Sequence, residues 1–86
     1  MFNGKQTFIS TLEDKNNRRI DFERWSYKKL KTVETKVREF YQSYNGLFVK
    51  DAIKRGAINL KIYKTEFNGS NEQLVNIIPI ENIYNL

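Results

Sequence analysis

The sequence predicts an α+β fold, a four-stranded antiparallel sheet in ββα(α)ββ order with one main helix packed on one face. Three observations carry this. Residues 6–25 and 57–80 are rich in β-branched and aromatic residues, with apolar positions recurring at period two. From Ser26 the apolar period changes to the three-and-four spacing of an amphipathic helix. The strand candidates within each flank are joined by Asn-, Asp- and Gly-rich connections, the chemistry of antiparallel hairpins. One helical layer on one antiparallel sheet is the natural packing of such an order.

The elements follow in turn. A strand is expected from about Gln6 to Leu12, then a turn built on Asp14, Asn16 and Asn17. "RIDFERW" is the second strand, with Ile20 and Phe22 inward and Asp21, Glu23 and Trp25 outward. Ser26 is the expected helix N-cap, and Leu30, Val33, Val37, Phe40 and Tyr44 form the apolar stripe behind it. Asn45–Gly46 offers a helix end, followed by a second short helix over about Phe48–Arg55 that stops at Gly56. The alternative is one helix running through Gly46, at a cost of about 1 kcal/mol. "INLKIYKTE" belongs to a third strand over Ala57–Glu66, with Ile58, Leu60 and Ile62 in the core and Asn59, Lys61, Tyr63 and Thr65 on the other face. Asn68–Gly69 marks the next turn. "LVNIIPI" is the last strand, with Leu74, Ile78 and Ile80 on one side and Val75 and Ile77 on the other. Pro79 puts that strand at an edge or ends it there. The tail "ENIYNL" turns back or forms a final helical turn.

The composition bounds what such a domain can do. Eighty-six residues make a single domain, 1–86, with a core but little room for an enclosed active-site cavity. The chain has no cysteine and no histidine. That excludes a disulfide framework, a thiol nucleophile and a cysteine-based zinc site, and it removes the commonest general base and metal ligand. No metal or other cofactor is expected. "MFNGKQTF" lacks the apolar run of a signal peptide, no stretch reaches membrane-spanning length, and a cytoplasmic location in a bacterial host cell is expected. Abundant Lys, Asn, Ile and Tyr, with scarce Ala, Pro and Gly, fit an AT-rich bacterial or phage genome.

The net charge is +5, and its excess is local. Residues 26–55 hold eight Lys/Arg against three Asp/Glu, while the flanking segments are nearly balanced. Asp21 and Glu23 lie two apart on one strand, but such carboxylates normally pair across strands, here with Lys61 or Arg19, rather than form a catalytic dyad. No glycine-rich phosphate loop, metal loop or nucleophile elbow is present, so an enzyme is not expected. The sheet face away from the helix is the remaining question. Trp25, Tyr63, Val75 and Ile77 would give it more apolar surface than a monomer leaves in water. The termini could curl over it, two copies could stack there, or it could bind a partner.

Two resemblances bear on the partner. "KQTFISTLEDKNNRRIDFERWSYKKLKTVETKVREFY" runs strand, turn, strand and a helix opened by basic "KKLKT", an order similar to the arm-type DNA-binding domains of tyrosine integrases. Those domains place three strands before the helix, where this chain has two before and two after. As a short, cysteine-free, motif-free single domain, the chain also resembles in class the small accessory proteins of phages and mobile elements, among them the anti-CRISPR proteins. That resemblance implies a stoichiometric inhibitor of a bacterial defence nuclease, acting by direct binding; the basic charge departs from those inhibitors that imitate DNA. The expected function is therefore a non-enzymatic binding protein of this kind, with a basic nucleic-acid-binding accessory protein as the alternative. Lys28, Lys29, Lys31, Lys36 and Arg38 would steer association, and Trp25, Lys61 and Tyr63 would make the short-range contacts. The expected partner is a host defence protein or its nucleic-acid complex, or DNA or RNA itself, with no membrane and with a homodimer as a further possibility.

Overall fold

The computed structural model describes residues 4–83, and the outer residues of the expected tail, 84–86, lie outside them. β1 (Gln6–Asp14), β2 (Arg19–Tyr27), β3 (Ala57–Thr65) and β4 (Gln73–Pro79) form one antiparallel sheet in the order β2-β1-β3-β4. Between β2 and β3 run α1 (Leu30–Gln42), a 3-10 turn (Ser43–Gly46) and α2 (Leu47–Lys54). The four-stranded α+β order is thus the one expected, and the helical segment is two helices. The chain breaks because Tyr44, Asn45 and Gly46 all adopt left-handed backbone angles, with φ of 53°, 57° and 73°. The expected second helix ends as proposed before Gly56, whose φ of 102° is costly for any residue with a Cβ.

The core lies between the helices and one sheet face. Phe8 and Leu12 of β1, Leu60 and Ile62 of β3 and Ile78 of β4 meet Val33, Val37 and Tyr41 of α1 and Val49 and Ala52 of α2. Ile80 and Ile83, in and just after a closing 3-10 turn over Ile80–Asn82, plug one end. Asn76 on β4 donates through its side-chain amide to the Glu34 carboxylate of α1, tying helix to edge strand. The β1–β2 turn is the one expected: the Asp14 carboxylate accepts from the backbone N–H of Asn16 and Arg18, at 2.8 and 2.9 Å, and Asn17 takes the left-handed angle.

Several sequence expectations fail, each for a backbone reason. β2 runs through Tyr27 and α1 starts at Leu30 behind Lys29, so Ser26 is a strand residue and no side chain caps the helix. A bulge opposite Leu12/Glu13 takes Ile20 out of the simple alternation. Ile20 still packs against the core, but beyond it the phase reverses: Trp25 pairs with Phe8 and points inward, while Phe22 pairs with Thr11 and stands 59 % exposed. Similar shifts expose Ile58 near the start of β3 and, through the extra residue Val75, move Leu74 from the core side of β4 to the opposite face. Because α1 stops at Gln42, Tyr44 leaves the apolar stripe and Tyr41 replaces it, fully buried.

The Tyr41 hydroxyl is buried without a hydrogen-bond partner, and burial, reinforced by Asp21 and Glu23 nearby, pushes its pKa up. Tyr41→Phe removes an unsatisfied polar atom and keeps the ring. The expected result is unchanged or greater stability, by up to about 1 kcal/mol, in urea unfolding.

Candidate partner-binding surfaces

The strand register orders the face away from the helices into rows. One row reads Phe22, Thr11, Lys61, Ile77 across the four strands; the next reads Arg24, Ile9, Tyr63, Leu74. A third holds Arg19, Glu13, Asn59 and Pro79. Lys61 and Tyr63 stand on this face as the alternation of β3 predicts, but neither is available to a partner. The Lys61 ammonium lies 3.1 Å from one Glu13 oxygen and donates to Asn17 Oδ1 at 2.9 Å. The Tyr63 hydroxyl and the Thr11 hydroxyl donate to the other Glu13 oxygen at 2.8 and 2.6 Å. Arg19 covers the group, its guanidinium carbon 4.9 Å from the Tyr63 ring centre, and pairs outward with Glu72.

Glu13 is 2 % exposed, so burial pushes its pKa up, yet the hydrogen bonds from Thr11, Tyr63 and Lys61 outweigh that and hold it below the usual glutamate range. The expected cross-strand pairs of Asp21 and Glu23 with Lys61 or Arg19 therefore do not form. A bulge turned those carboxylates to the helix side, and Glu13 takes both cations.

The remaining cover comes from the β3–β4 connection, residues 66–72. Arg24 on β2 donates to the Phe67 carbonyl, with its guanidinium 5.7 Å from the Phe67 ring centre, and Arg19 on β2 holds Glu72. The loop after β3 thus reaches β2 across β1, which accounts for the burial of Ile9 and Thr11 on a face with no helix. A loop, rather than the termini, lies over this half of the face. The half along β4 keeps Leu74 and Ile77 exposed.

The other expected contact residues are dispersed. Trp25 is half-buried on the helix side: its indole N–H donates to Ser10 Oγ at 2.8 Å, and its ring meets Phe40 edge-on at 5.9 Å. Lys36 lies 3.6 Å from Glu39, and Arg38 donates to the Asn82 carbonyl at 3.2 Å. Lys28, Lys29 and Lys31 remain exposed at the start of α1, with no carboxylate at ion-pair distance among the described residues. Their first turn carries no acidic residue.

A second surface was missed in the sequence. At the α1–α2 corner Tyr44 is 73 % exposed and Leu47 60 %, with Phe48 beside them. These are backed by stacked rings. Phe48 lies parallel to Phe40 at 5.5 Å, Tyr44 meets Phe48 edge-on at 5.7 Å, and Phe40 in turn touches Trp25. A shallow groove of about 370 Å³ opens next to the corner, lined by Leu47, Lys50, Asp51, Ile53 and Lys54. Asn45–Gly46 was the available signal, read as a helix end and not as a turn that presents its neighbours.

No group of three or more acidic side chains is placed to hold a metal among the described residues, and none of their helices is long and apolar enough to cross a membrane. No family model, curated protein or solved structure matches the chain.

Proposed function

We propose that this chain is a non-enzymatic binding protein that occupies a surface of a larger partner through its α1–α2 corner, in the manner of small phage or mobile-element inhibitors of a bacterial defence nuclease. The observation that carries this reading is the left-handed run Tyr44–Asn45–Gly46. A tyrosine and an asparagine in that region cost of order 1–3 kcal/mol each, and such strain collects where structure serves function. Here the strain turns Tyr44 and Leu47 into solvent rather than into the core. The stacked rings beneath hold the patch rigid, which limits the ordering cost on binding. Exposed aromatic and aliphatic anchors with lysines at their margin suit a protein surface with an acidic rim.

The test is a pull-down from a bacterial lysate, split into nuclease-treated and untreated halves, comparing wild type with Tyr44→Ala and Leu47→Asp. A protein retained after nuclease and released at least about 30-fold more readily by either variant is expected, the size of a hot-spot loss. A second reading rests on Lys28, Lys29 and Lys31, which the fold leaves unneutralised at one end of α1. If the bound material disappears with nuclease and Lys28→Glu with Lys31→Glu lowers its salt dependence, the chain is a nucleic-acid-binding accessory protein instead.

A further inference from the structure

The two edges of the sheet differ in a way the core does not require. β2 carries Arg19, Asp21, Glu23 and Arg24 along its length, the charged edge that discourages strand addition. β4 carries no charged residue from Gln73 through Pro79, and Leu74, Val75 and Ile77 on it are 47, 37 and 48 % exposed. An outer strand that is neutral and apolar is the form in which proteins add another strand.

We infer that a second copy of this chain docks along β4, antiparallel about a two-fold axis, to give a dimer with one continuous eight-stranded sheet. Charge selects that occupant. Two molecules of net charge +5 repel each other over most of their surfaces. At β4 they do not, because the nearby cations are already neutralised: Lys61 by Glu13, and Arg19 by Glu72. The same neutrality disfavours a nucleic acid or an acidic protein at this edge, since either would need free cations to meet it. Closure is built in as well. The pairing is isologous, and the charged β2 edge at the far side stops further growth into a fibre.

The bulge at Val75 and the missing N–H of Pro79 confine the new ladder to the middle of the strand. Side-chain contact of Leu74, Val75 and Ile77 supplies much of the rest. The contact is smaller than a standard interface, so the dimer is weak and reversible, with Kd in the ~10–100 μM range. It tightens as salt screens the net charge, the opposite of an association held by ion pairs.

The experiment is sedimentation equilibrium of the full chain over a wide concentration range at low and high salt, with amide exchange followed by NMR in parallel. Expected are a rise from monomer to dimer mass, tightening with salt, and β4 amides that exchange more slowly at high concentration while those of β2 do not change. Val75→Lys with Ile77→Lys should weaken the dimer at least about tenfold, by setting like charges across the new ladder. Leu47→Asp should leave it intact. A constant monomer mass overturns the inference. So does a dimer that survives the β4 lysines, or one that Leu47→Asp abolishes. The amide exchange is read on the unmodified chain, so an unstable variant cannot obscure the answer.

Discussion

Glu13→Ala is expected to destabilise the domain by about 3 kcal/mol, the cost of leaving largely buried partners without their carboxylate. Lys61, whose side chain is 14 % exposed, would keep only Asn17, and the hydroxyls of Thr11 and Tyr63 would lose their acceptor. For a domain of this size that loss lowers Tm by more than about 10 °C. Glu13→Gln tests charge apart from shape. It retains an acceptor for one hydroxyl but turns an amide N–H toward the other donors, so it should fall between wild type and alanine.

The acid dependence follows from the same site. Glu13 is held below its ordinary value in the folded chain, so its contribution is complete above the unfolded glutamate value of about 4.3 and is lost as pH falls through the lower folded one. Asp14 and Glu72 are lowered too, by Arg18 and Arg19 respectively, and they add to the acid loss in both proteins. The difference between wild type and Glu13→Gln isolates Glu13. In urea unfolding that difference should be largest near neutral pH and should shrink on acidification below pH 4. A gap that stays constant through acid would mean that Glu13 is not ionised in the folded state.

This cluster also shows what the sequence makes legible. The alternation of "INLKIYKTE" placed Lys61 and Tyr63 together on the face away from the helix, and they are there. Their partner was not legible, because it depends on register. Glu13 reaches them from β1 only once β1 is known to lie between β2 and β3. Period-two patterning gives the faces of a strand up to the first bulge and no further, and the bulges near Glu13 and at Val75 inverted the assignments of Phe22 and Leu74. The helix stripe was read well through Val37 because periodicity there is undisturbed. It failed at Tyr44 because three successive left-handed residues are set by tertiary packing and by Gly46 together, and not by the apolar period. The α1–α2 corner was therefore hidden for the same reason that it is informative.

Trp25 provides the second large effect, and it separates structure from binding. On the reading of the sequence alone Trp25 was a partner anchor, whose truncation would weaken binding and spare the fold. In the structure it spans the sheet–helix interface, bonded to Ser10 and packed on Phe40, and it begins the row of rings that continues through Phe48 to Tyr44. Trp25→Ala should cost about 3 kcal/mol, at the lower end for an aromatic truncation because the ring is half-buried. Trp25→Phe keeps much of the ring contact and loses the bond to Ser10, so about 1 kcal/mol is expected. The comparison is made by urea unfolding followed by far-UV circular dichroism, since the substitution removes the only tryptophan. Partner affinity is then measured on the folded fraction, and for Trp25→Phe it should stay within a few-fold of wild type while Tyr44→Ala loses it. Full stability with lost affinity in Trp25→Ala would return Trp25 to the binding surface and contradict its inward placement. Lost stability with Tyr44 indifferent would keep the fold and remove the corner as the site.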